Sequence, residues 1–134
     1  MSKSPHTVLV VEDEPWIRLA LVHHLEDCDF RVLEAASVRE AITALEQSDV
    51  DLVFTDLRLL GDRGGIDLAR WVARNRPGVP VMLTSGEMGV DGLAELCRSE
   101  GFVSFGKPYA HAEVSAQIRK LIEKRKRDAP DPPR

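Results

Sequence analysis

Asp51-Leu52-Val53-Phe54-Thr55-Asp56 is the stretch on which the fold turns. Its apolar and β-branched residues run without alternation, the pattern of a strand buried on both faces. Residues 51–55 therefore read as a strand, with Asp56 immediately after it. Three other runs end in the same manner. Val8-Leu9-Val10-Val11 stops at Glu12 and Asp13, Val81-Met82-Leu83 at Thr84 and Ser85, and Phe102-Val103-Ser104-Phe105 just before Lys107-Pro108. In an open parallel sheet, ligands bind in the crevice outside the carboxyl ends of the strands. Four such ends, each closing on a residue useful for handling a phosphoryl group, predict one site with Asp56 as its nucleophile.

Working outward, strands alternate with helices. The first strand spans 7–11, and Pro15 suits the first turn of a helix, where a missing N–H costs nothing. That helix runs to about Asp27, with Ile17, Leu21, His24 and Leu25 along one side. A short second strand covers 31–34. Ser37-Val38-Arg39-Glu40 is a capping box opening a second helix, with Val38, Ala41, Ile42 and Leu45 as its apolar stripe. A third helix starts near Gly65 and carries Leu68, Ala69 and Val72, and residues 79–83 form the fourth strand. A fourth helix spans about 90–99, weakened by Gly89 and Gly92. The fifth strand covers 102–105, and the fifth helix about 111–126, with Val114, Ile118, Leu121 and Ile122 inward. Five βα units without an internal repeat call for a doubly wound α/β fold. Residues 1–127 make one domain, and 128–134, rich in proline, read as a disordered tail with no output domain after it.

The 134 residues carry 43% apolar and 30% charged side chains, with a net charge of −4. That balance argues against general affinity for nucleic acid or anionic membranes. No stretch has signal-peptide or membrane-spanning character, so a cytoplasmic location is expected. Cys28 and Cys97 lack metal-ligand spacing and read as two reduced thiols. Lys124-Arg125-Lys126-Arg127 reads as a solvated complement to a helix C-terminus. His23, His24 and His111 show no partner spacing. Trp16 and Trp71 read as helix-packing or partly exposed residues.

The chemistry follows from what the strand ends hold. Glu12, Asp13 and Asp56 would crowd three negative charges together, raising one pKa unless a cation intervenes. All-oxygen ligation with water suits Mg²⁺. A carboxylate can attack phosphorus, and such transfer depends on positioning and charge neutralisation. Mg²⁺, the Lys107 ammonium and the Thr84 hydroxyl would each hold one phosphoryl oxygen. Ser85 is a weaker candidate for direct contact.

These residues resemble the receiver domain of two-component response regulators, over about residues 6–126. The likeness rests on Val-Val-Glu12-Asp13-Glu14-Pro15, Leu-Val-Phe-Thr-Asp56-Leu, Val-Met-Leu-Thr84-Ser-Gly and Phe-Gly-Lys107-Pro-Tyr. From Asp13 to Asp56 is 43 residues, then 28 to Thr84 and 23 to Lys107. The resemblance implies a flavodoxin-like three-layer sandwich with strand order 2-1-3-4-5. It implies that Asp56 takes a phosphoryl group from a sensor histidine kinase or a histidine phosphotransfer protein. Asp13 and Asp56 would bind Mg²⁺ directly with the backbone carbonyl of Arg58, and Glu12 at longer reach. The Lys107–Pro108 bond is expected to be cis. The protein would be a stand-alone switch and not an enzyme, signalling through a downstream protein or a homodimer across the fourth helix, fifth strand and fifth helix.

Three features depart from the family. The loop 57–65 has Leu60 where proline is usual, reaches its glycine one residue later, and brings Arg58 and Arg63 toward the site. The usual switch aromatic, three residues before the lysine, is Ser104, with Phe102 on its face and Phe105 on the other. Gly106 and the glycines near the fourth helix suggest a mobile face. Two rival functions follow. A phosphate-independent interaction module would use the scaffold alone. A haloacid-dehalogenase-type phosphatase would need an Asp where Arg58 stands.

Overall fold

The computed structural model describes residues 5–59, 61, 63–85 and 93–128. Its elements are β1 (Thr7–Val11), α1 (Pro15–Asp27), β2 (Arg31–Ala35), α2 (Val38–Gln47), β3 (Leu52–Asp56), α3 (Gly65–Asn75), β4 (Val81–Ser85), α4 (Leu93–Glu100), β5 (Val103–Gly106) and α5 (His111–Asp128). All neighbouring strands are parallel, in the order β2-β1-β3-β4-β5. This is the expected doubly wound sheet.

Alternation along the strands divides the interior in two. Val8, Val10, Leu52, Phe54 and Met82 face Leu21, Val22 and Leu25 of α1 and Val114, Ile118 and Ile122 of α5. Leu9, Val11, Val53, Val81 and Leu83 face α2, α3 and Cys97 of α4. Both faces of β1, β3 and β4 are covered, which is why these strands read as continuous apolar runs.

Boundaries move by a residue or two, with identifiable causes. β3 begins at Leu52, because the Asp51 carboxylate turns back to accept the Thr7 N–H at 2.8 Å. β4 is shifted to 81–85: Pro80 has no N–H to donate, and the Val79 N–H closes a turn on Arg76 O at 3.1 Å. At the far end the ladder continues, since Thr84 O accepts the Leu57 N–H at 2.7 Å and Ser85 O the Lys107 N–H at 3.0 Å. β5 runs 103–106, β2 gains Ala35, and α5 extends to Asp128. α4 starts at Leu93; the expected first turn, with Gly89 and Gly92, lies outside the described residues, as does the tail from 129.

Two side-chain expectations are corrected. Ile17 is 41% exposed, and Val22 takes the inward place beside Leu21 and Leu25; the apolar stripe of α1 is rotated about one position. In the capping box of α2, Ser37 Oγ accepts the Glu40 N–H at 3.2 Å, but Glu40 reaches back to the Ala36 N–H at 3.2 Å and not to Ser37. Cys28 and Cys97 are both free thiols.

Candidate functional site

The parallel register carries the sequence-predicted residues to one edge. Asp56 pairs with Thr84, and Thr84 with Phe105, so β3, β4 and β5 end level with one another. Counting in twos from Val8 and Val10, Leu52 and Phe54, Val103 and Phe105 places Glu12, Asp56 and Lys107 in phase on the α1–α5 side. Close packing beneath Asp56 depends on glycine: a Cβ on Gly65 would lie 2.2 Å from Asp56 O, where the Gly65 N–H donates to Leu57 O at 2.8 Å.

Lys107 brings an ammonium into the cluster. Its Nζ lies 2.9 Å from Asp56 Oδ2 and 3.3 Å from Glu12 Oε1. The other Asp56 oxygen, Oδ1, accepts the Arg58 N–H at 3.2 Å, so both carboxylate oxygens are aimed. The Lys107–Pro108 peptide is cis, as expected. Glu12 is buried, and one oxygen each of Glu12, Asp13 and Asp56 lie within 4.8 Å of one another. Thr84 and Ser85 are buried, while Arg58 and Arg63 are exposed; Leu60 and Asp62 of that loop lie outside the described residues.

Glu12 and Asp56 share the Lys107 ammonium, and the Glu12 carboxyl registers the crowding. Burial, reinforced by the neighbouring Asp56 charge, pushes the Glu12 carboxyl up to about 7 despite Lys107. For Lys107, burial pulls downward, but the hydrogen bond to Asp56 and the charges of Asp56 and Glu12 outweigh it and leave the ammonium above its ordinary value. The donor set fits Mg²⁺: every candidate atom is a hard oxygen. At an Mg–O distance of about 2.1 Å, octahedral ligands sit roughly 3–4 Å apart, so a spread within 4.8 Å closes with small side-chain movements.

β5 separates its aromatics as alternation requires. Phe102 is buried with Leu83 and Cys97, Ser104 is exposed, and Phe105 lies on the opposite face, edge-on to Tyr109 at 6.1 Å. Tyr109 also meets Phe54 edge-on at 5.7 Å. Sequence reasoning missed the seam beyond it, where His24 and His111 lie 5.4 Å apart and His24 Nε2 meets Ser115 Oγ at 3.1 Å. It also missed Arg18, which touches the acidic corner directly. Of the basic run in α5, Arg125 is committed to Asp51 at 3.4 Å. Trp16 is 77% exposed next to the acidic loop, whereas Trp71 packs on the α2–α3 core. A cavity of about 620 Å³ lies among Pro77–Pro80, Phe102 and Leu121, at the opposite end of the sheet from the carboxylates. No described helix is long and apolar enough to cross a membrane.

Comparison with known proteins agrees with the geometry. The response regulator receiver domain family matches residues 8–119. A sensor kinase CckA from Brucella abortus is 28% identical over 88% of the chain, which covers 13% of that protein. Across three curated relatives the chain spans only 13% to 51% of their length. Among solved structures, a CheY-like receiver domain protein from Methanospirillum hungatei superposes with a TM-score of 0.86 at 20% identity, covering 94% of this chain and all of that one. A response regulator receiver protein from Sinorhizobium medicae gives 0.80 at 26% identity, covering 92% and 99%.

Proposed function

Because this chain belongs to the response regulator receiver family, we propose that Asp56 is its phosphoacceptor, charged in a Mg²⁺-dependent reaction by the phosphohistidine of a sensor kinase or phosphotransfer protein. The observation that carries this reading is the single cluster in which Lys107 Nζ lies 2.9 Å from Asp56 while Glu12 and Asp13 close around the same carboxylate.

In the transfer an Asp56 oxygen forms a bond to phosphorus as the P–N bond of the donor breaks. The electron pair of that bond stays on the imidazole nitrogen, which takes up a proton. Lys107, already held to Asp56, follows the negative charge onto the phosphoryl oxygens, and Thr84, in register with Asp56, offers its hydroxyl to another. Asp13, Asp56 and the Arg58 carbonyl would hold Mg²⁺, with Glu12 assisting, and the ion when bound would supply charge neutralisation at the phosphoryl group. Arg58 occupies the place where a phosphatase of the dehalogenase type carries its acid. The protein therefore catalyses only its own phosphorylation and dephosphorylation, and passes the signal on through phosphorylation-dependent protein contacts in the cytoplasm.

Incubation with Mg²⁺ and acetyl phosphate should add one phosphoryl group to the intact mass of the wild type and none to Asp56→Asn. Labelling of the variant, or none of the wild type, would refute the assignment. The exposed Ser104 favours one second reading, a scaffold whose contacts ignore phosphorylation. Partner affinity that is identical with and without acetyl phosphate would select it.

A further inference from the structure

We infer that Arg18 is a positioning residue for the divalent cation, holding the corner between β1 and α1 in its binding shape; this rests on the metal-binding reading above. β1 makes its last ladder bond where the Glu12 N–H donates to Ala35 O at 3.0 Å. Beyond that point the chain leaves the sheet, and the Glu12 carbonyl accepts from Arg18 Nη1 at 2.6 Å. The same guanidinium donates through Nε to Glu34 Oε1 on β2 at 3.1 Å. One rigid planar group therefore ties the first turn of α1 to the end of β1 and to β2.

The gripped carbonyl belongs to the peptide that joins Glu12 to Asp13. Its orientation sets the direction in which the Asp13 carboxylate leaves the chain. Mg²⁺ tolerates little departure from octahedral geometry, and groups that orient metal ligands commonly tune affinity by roughly 10- to 100-fold. A guanidinium is suited to the task because its donors are fixed in a fork, whereas an ammonium is a point charge on a flexible stem.

The sign of the effect separates positioning from simple electrostatics. Removing a cation from beside three carboxylates should strengthen divalent-cation binding if charge alone mattered. Loss of a positioning group should weaken it.

The test is Mn²⁺ binding followed by electron paramagnetic resonance, with Mg²⁺ and Ca²⁺ measured by competition. Wild type, R18M, R18K and E34Q are compared at one pH and ionic strength, with urea unfolding of each. R18M should bind Mn²⁺ and Mg²⁺ roughly tenfold more weakly, with Ca²⁺ affected less because its coordination is more flexible. R18K should resemble R18M, and E34Q should fall between R18M and wild type. Wild type that binds no divalent cation would overturn the metal reading and this inference together. Wild type that binds, with R18M and E34Q equal or tighter, would overturn the inference alone, as would R18K equal to wild type. R18K keeps the positive charge, so a weakening there cannot come from charge and supplies the answer even where R18M fails to fold.

Discussion

Asp51 and Asp56 flank the same strand, yet their surroundings are opposite in character. Asp51, just before β3, has one oxygen on the Thr7 N–H at 2.8 Å, with Arg125 at 3.4 Å and His6 at 3.8 Å. One acid there meets more basic partners than it needs, and its role is to tie β1, β3 and α5 together. Asp56, at the end of β3, shares one ammonium with Glu12 and stands beside Asp13. A balanced carboxylate is structural. Crowded carboxylates are costly for the cation-free fold, and the proposed cation and phosphoryl chemistry is what would make use of that cost.

The strongest way to break that contrast is to exchange charge for amide at each end. Asp56→Asn should abolish phosphoryl uptake in the acetyl phosphate mass assay, while Asp51→Asn should leave it unchanged; uptake lost in both would dissolve the distinction. Next in size is Mg²⁺ itself. At about a hundredfold excess over its dissociation constant it should stabilise the fold by about 2.7 kcal/mol in urea titrations. Asp13→Asn should remove most of that gain, and Asp51→Asn none of it.

Lys107→Met strips the cluster of its ammonium and leaves two carboxyl groups facing each other. A cost of about 1–3 kcal/mol is expected in EDTA, and no cost would mean the acids were never in conflict. The pH dependence sharpens the same point. The Glu12 carboxyl is raised from 4.5 to about 7, so between those values the folded chain keeps a proton that the unfolded chain releases. Its contribution is therefore full below about pH 4.5 and lost as pH rises through about 7. Without a divalent cation, Glu12→Gln should flatten that part of the stability profile; an unchanged slope would place the charge conflict elsewhere. The smallest effect belongs to the other end, where Asp51→Asn should cost about 1 kcal/mol.

Much of this was legible from short-range pattern. Continuous apolar runs marked the buried strands, Pro15 marked the start of α1, and the strand-end positions of Asp13, Asp56, Thr84 and Lys107 predicted that they would gather at one edge of the sheet. Errors of one or two residues arose where a tertiary bond competes with propensity. The Asp51 carboxylate bends the chain before β3, and the β4 ladder extends through Ser85 because neighbouring strand ends donate to it. Ile17 was misplaced because its helical period allowed two adjacent faces, and only the seating of α1 on the sheet chose between them. His24 and His111 meet through helix packing, which no local spacing records.

The order of elements, the identity of the acidic cluster and the separation of Phe102 from Phe105 on opposite faces follow from sequence alone, because each depends on residue type and periodicity within a strand or helix. The crowding of charge around Asp56, the raised titration of Glu12 and the grip of Arg18 on the Glu12 carbonyl were decided by tertiary structure. Those are matters of distance and desolvation between residues brought together from different elements. Burial by the assembled sheet and helices turns ordinary acids into a site poised to receive charge.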